Sequence, residues 1–166
     1  MKILLILAGD RLYRYRGVAS NLMPYAPLTL VSLAALVPKE LEARIELLDE
    51  GIQRPDYEGK NFDLVLSSMT LHHISDVEAL LHQFFATLKP GGYLAVTDLV
   101  MEDGSFHEDN SGVAHHGINP ETVRAILAKN GGQDIGVQEI HTIEKPQGNG
   151  AKRGYPVFLA WCRKGK

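Results

Sequence analysis

Seven histidines stand in this chain of 166 residues, and none precedes residue 72. Five of them gather within residues 72–116 as His72-His73, His107 and His115-His116. Imidazoles in number could hold a metal or move protons near neutral pH. The spacing argues against either use, because adjacent side chains are expected to point apart and no HExxH-type carboxylate accompanies the pairs. No catalytic residue and no metal site is therefore expected. Cys162 is the only cysteine, which excludes an internal disulfide and a cysteine-based zinc site. It falls in the last apolar run, with no helix start nearby to lower its pKa, and reads as a packed thiol on an edge-type strand.

A second group of residues lies at the ends of apolar runs, where open α/β sheets bind ligands. Gly9 closes the run KILLILA, Asp49 and Glu50 close RIELLD, and Ser67, Ser68 and Met69 close FDLVLSS. A carboxylate at the end of a second strand can accept hydrogen bonds from ribose hydroxyls. Gly9, Asp49, Glu50, Ser67 and Met69 form the candidate cofactor-binding set. Against them stands the turn LAGDRLYRYRG, in which Gly9 is the sole glycine near the strand end and Gly17 is too distant to let backbone approach a cofactor closely.

The elements that must position these residues are read from periodicity. Lys2 to Ala8 is a continuous apolar run and reads as a central strand buried on both faces. Pro27 opens a helix over 27–37, and strands come next at Arg44 to Asp49 and at Phe62 to Ser68. Ser75, three residues before Glu78, looks like a capping box for a helix carrying Val77, Leu80, Leu81, Phe84, Phe85 and Leu88, with Lys89-Pro90-Gly91-Gly92 as its stop. Tyr93 to Leu99 is a fourth strand. Asn119-Pro120 starts a second clear helix, and Ile135 to Ile143 and Tyr155 to Cys162 are two antiparallel strands. The fold class is a three-layer α/β/α sandwich, flavodoxin-like or Rossmann-like. Its sheet is mostly parallel in the order 2-1-3-4-6-5 with an antiparallel last strand.

Two resemblances divide the chain. FDLVLSSMTLHHI, LKPGGYLAVTDL, EDGSFH, HHGINPETVRAILAKNGG and the closing YPVFLAWCRK resemble, in that order, the C-terminal half of class I S-adenosylmethionine-dependent methyltransferases. MKILLILAGD and PYAPLTLVSLAALVPKELEARIELLDE are similar to the flavodoxin-like cobalamin-binding domain that precedes radical S-adenosylmethionine domains. The seam falls at Asn61-Phe62. Half a domain cannot bury its own apolar face, so a mid-sheet seam points to deliberate recombination, with a divergent natural protein as the alternative. The expectation is an engineered chimera, a single domain over residues 1–166 with fragments 1–61 and 62–166, without native catalytic function. The alternatives are a methyltransferase-like protein with a degenerate cofactor site and a cobalamin-binding module. No cofactor is expected, and S-adenosylmethionine or cobalamin enters only with those alternatives.

Composition limits the partners. Hydrophobic residues make up 45% and charged residues 22%, values of an ordinary folded domain. A net charge of −3 supplies no basic field for nucleic acid or an anionic membrane. No run reaches membrane-spanning length, so a cytoplasmic chain is expected, monomeric or, should the seam open, a domain-swapped dimer.

Overall fold

A computed structural model describes residues 1–7, 34–49, 61–146 and 151–166. Six strands form one sheet: β1 (Lys2–Leu7), β2 (Arg44–Asp49), β3 (Phe62–Ser68), β4 (Leu88–Leu99), β5 (Gly132–Pro146) and β6 (Lys152–Lys164). Their order is β2-β1-β3-β4-β6-β5, as the sequence predicts. β1, β2, β3 and β4 pair in parallel, and β6 runs antiparallel to both β4 and β5. Cys162 thus sits on an interior strand, not an edge, and is fully buried.

β1 is apolar from Ile3 to Leu7 because it is covered twice. Leu4 and Ile6 face the main core with Val65, Leu94, Val96, Phe158 and Ala160. Ile3 and Leu5 face the other side with Leu64, Leu66, Ala34 and Val37. The helix predicted over 27–37 lies outside the described residues up to residue 33.

The main core is roofed by α1 (Val77–Ala86) and α2 (Pro120–Lys129). Leu81 and Phe84 of α1 and Val123 of α2 are wholly buried, each worth roughly 1.5–3 kcal/mol against exposure. The cap of α1 is Asp76, whose carboxylate accepts from Ala79 N–H at 2.9 Å. The predicted Ser75 stands one residue outside it, because the Asp76 carboxylate already fills the capping position. Asn119 caps α2 as predicted, accepting from Glu121 N–H at 2.9 Å. Lys89-Pro90-Gly91-Gly92 does more than end α1: it belongs to β4, where the register with β3 shifts between Phe62 and Leu64. A Cβ on Gly92 would stand 3.0 Å from the carbonyl oxygens of Lys89 and Phe62.

β5 and β6 outrun the rest of the sheet. β4 pairs with β6 only as far as Leu99 opposite Val157, whereas β5 and β6 stay paired out to Pro146 opposite Lys152. No helix among the described residues is long and apolar enough to cross a membrane.

Candidate functional site

The strand ends of β1, β2 and β3 stop at one rim. Leu7 lies opposite Asp49, and Ile6 lies opposite Ser67. Ser67 is buried, and its Oγ has no hydrogen-bond partner among the described residues. Ser68 Oγ accepts from Thr97 Oγ1 at 2.9 Å. Of the candidate cofactor residues, Gly9 and Glu50 lie outside the described residues, and Asp49 is placed by its backbone register alone.

Met69 redirects the chain at the end of β3. Its φ of 53° is left-handed, a conformation that costs an ordinary L-residue free energy. Its N–H donates to Thr97 O at 2.9 Å, and its side chain packs on Leu99, Phe106, Tyr155 and Val157. The chain thereby leaves the strand line and winds into a 3₁₀ turn over Leu71–His73.

That turn is built around a buried acid. Asp98, near the end of β4, is fully buried and accepts from the N–H groups of Leu71 at 2.6 Å, His72 at 3.3 Å and Leu99 at 2.7 Å. Its Oδ1 also lies 2.6 Å from His72 Nδ1. A carboxylate already taking three backbone donors acts as an acceptor, so His72 Nδ1 donates to it. His72 is 1% exposed, and its Nε2 has no partner among the described residues.

The loop after β4 closes over the turn. Ala114 and His115 donate their N–H groups to His72 O, both at 2.9 Å, and His73 Nδ1 lies 3.0 Å from Gly112 O. Glu102 Oε2 gathers the N–H groups of Gly104, Ser105 and Phe106 at 2.9, 2.8 and 3.1 Å. This fold of the loop delivers His107, also buried, to the pair. The ring centroids of His72 and His73 stand 4.0 Å apart, and that of His107 lies 5.2 and 5.7 Å from them. Burial, then the neighbouring His72, His73 and Lys145, holds the His107 pKa down at about 4, so this imidazole is neutral at pH 7.

Adjacent histidines are expected to diverge, and His72 and His73 do not. On a 3₁₀ turn, unlike a strand, successive side chains are not sent to opposite faces. His72, His73 and His107 each bring a ligand atom within 4.8 Å of the others. The second pair does not join them: His115 is half-buried and His116 exposed. Asp98 is the residue that sequence reasoning misses, as one position of the apolar strand YLAVTDLV. A lone acid inside such a run is the available signal, since a buried carboxylate requires partners.

Beside this group, a cleft of about 840 Å³ opens between the N-terminal ends of α1 and α2 and the loop. Asp76, Glu78, Glu102, His115, His116 and Asn119 line it along with apolar side chains. Glu102 Oε1 is buried without a hydrogen-bond partner among the described residues. The volume is that of a small-molecule site.

Comparison with known proteins bears on the whole arrangement. A family model described as "Methyltransferase domain" matches residues 24–130. An uncharacterized methyltransferase of Schizosaccharomyces pombe is 37% identical over 70 residues, covering 37% of this chain and 25% of that protein. The mitochondrial ubiquinone biosynthesis O-methyltransferase of Homo sapiens is 28% identical over 113 residues, covering 60% of this chain and 30% of that protein. The matched stretch thus spans less than a third of either relative. A solved S-adenosylmethionine-dependent methyltransferase from Archaeoglobus fulgidus shares the fold at a TM-score of 0.63 and 15% identity, over 98% of this chain and 86% of that one.

These matches correct the expectation of an engineered chimera without native catalytic function. The family match extends from residue 24 to residue 130 and so takes in Asn61-Phe62, and residues 24–61 of the segment read as cobalamin-like fall inside it. One family's pattern accounts for both sides of the seam.

Proposed function

Because the chain belongs to the methyltransferase-domain family, we propose that it is an S-adenosylmethionine-dependent methyltransferase acting on a small polar acceptor. The observation that carries this reading is the family match over residues 24–130, which takes in β2, β3, β4, both helices and the loop between β4 and α2. The strand ends support it, since Ser67 and Asp49 lie on one rim and the buried Ser67 Oγ lacks a partner among the described residues. An unsatisfied buried hydroxyl on a ligand-binding rim fits a polar group of a bound molecule. Asp49 and Glu50 would hold ribose hydroxyls, Gly9 would let backbone approach, and Ser67 and Met69 would border the remainder.

S-adenosylmethionine supplies an electrophilic methyl group when bound. This chain's own residues would orient the acceptor and keep water away from it. Glu102 lines the cleft between the two helices and the loop, and its buried Oε1, without a partner among the described residues, would accept from a donor on that acceptor, such as an amine or hydroxyl.

Calorimetric titration with S-adenosylhomocysteine tests the reading. Binding tighter than about 1 mM, weakened at least about tenfold in Glu50→Ala or Asp49→Ala, is expected. Methyl transfer from labelled S-adenosylmethionine to a panel of amines, phenols and carboxylates then identifies the acceptor class. Absence of both binding and transfer refutes the reading.

A further inference from the structure

We propose that His72, His73 and His107 form a binding site for a late first-row divalent cation, zinc above all. The inference is independent of the methyl-transfer reading, because its readout needs neither cofactor nor acceptor. Three imidazoles from two separate segments, a 3₁₀ turn and a loop, bring one ligand atom each within 4.8 Å of the others. Two of the three, His72 and His107, are buried.

The ring orientations add a second, separate observation. A histidine that holds a metal through one nitrogen usually donates the other N–H to a carboxylate or a backbone carbonyl, which fixes its tautomer. His72 presents that arrangement to Asp98 at 2.6 Å, and His73 presents it to Gly112 O at 3.0 Å. Both oxygens are acceptors, so both rings donate through Nδ1, and Nε2 is the nitrogen through which each would bind an ion. The unpartnered, deeply buried Nε2 of His72 is a ligand atom already held in place.

The donor set selects the ion. Imidazole nitrogen suits zinc, copper, iron and nickel, whereas magnesium and calcium require oxygen ligands. Three histidines leave a fourth tetrahedral position open to water or another ligand. Bonds of about 2.0–2.1 Å bring ligand nitrogens to roughly 3.3 Å from one another, so the triangle must tighten as the ion enters. The hydrogen bonds from Ala114 and His115 to His72 O tie the loop to the turn and keep that adjustment local.

The test uses the full chain freed of metal by a chelator, with Zn²⁺ and Co²⁺ as probes. Expected are one equivalent of Zn²⁺ bound at micromolar affinity or better, a rise in Tm, and an intense visible Co²⁺ band of the tetrahedral type. His73→Gln and His107→Gln should each weaken binding at least about tenfold while circular dichroism reports an intact fold, and His141→Gln should leave binding unchanged. The Co²⁺ band in the unaltered chain decides the matter even where a variant fails to fold. Failure to bind one equivalent, an octahedral Co²⁺ spectrum, or binding lost in His115→Gln/His116→Gln but kept in His73→Gln would overturn the proposal.

Discussion

The chain contains the dipeptide His-His twice, and the two copies have little in common once folded. His72-His73 sits on a 3₁₀ turn with its rings 4.0 Å apart, its first imidazole buried against Asp98 and its second half-buried beside Gly112 O. His115-His116 lies on the loop that covers them, with His116 exposed. The residue types are the same, so what separates them is the acceptor that arrives from elsewhere in the chain. Asp98 lies 26 residues beyond His72 and reaches it only because β3 and β4 are adjacent and in register, Ser68 opposite Thr97. Chemistry at the first pair is a property of the sheet.

The largest effect should come from removing that acceptor. Asp98→Ala leaves three buried backbone donors and an imidazole N–H without a partner, and a loss of about 3–5 kcal/mol in urea denaturation is expected. A loss under about 1 kcal/mol, the range of an ordinary exposed site, would show that the two pairs are held alike. Next is Gly117→Ala, beside the second pair. Gly117 has a φ of +72°, and a Cβ there would stand 2.3 Å from Val100 O. The backbone at this position, more than either adjacent imidazole, pins the loop, and destabilisation of about 1–3 kcal/mol is expected from the same denaturation curves.

Cys162 extends the comparison to another reactive residue type. Burial pushes its thiol up to about 11 from an ordinary value of 9.0. The unfolded chain therefore releases this proton first as pH rises. The thiol's contribution to stability is complete below about pH 9 and declines through pH 11. In the folded chain near neutral pH a thiol reagent should react many times more slowly than after denaturant is added, and equal rates would show that the interior strand opens readily. The smallest effect is at His116. His116→Ala should shift stability by no more than about 0.5 kcal/mol, and a larger change would mean that the second pair is as firmly built in as the first.

Much of the fold could be read from residue order. The doubly apolar β1, the capped α2 and the closing pair of antiparallel strands each carry a local signal, and the sheet order is consistent with them. The misreadings lie where a distant residue decides. Asp76 caps α1 in place of Ser75 because the choice between two capping residues depends on where the chain enters the helix. The convergence of His72, His73 and His107 depends on a left-handed Met69, on Asp98 and on a loop folded around Glu102, none of which leaves a periodic trace. The expectation of a chimera without native catalytic function is overturned by the family match, which takes in residues on both sides of Asn61-Phe62. A buried first strand and its returning helix look alike in different doubly wound families, so a local resemblance of that kind does not identify a source.

The overhang of β5 and β6 bears on the same loop. Beyond the last residues paired with β4, Arg153 forms an ion pair with Asp103 at 2.7 Å, Tyr155 Oη donates to Ser105 O at 3.0 Å, and Lys145 Nζ donates to Phe106 O. Three side chains of a cantilevered ribbon thus grip the segment just ahead of His107. Sliding one arm of the ribbon by two residues would carry its anchor points about 7 Å along the strand. The position of the third imidazole is therefore gauged by the length of a hairpin that supplies no ligand of its own to the histidine group.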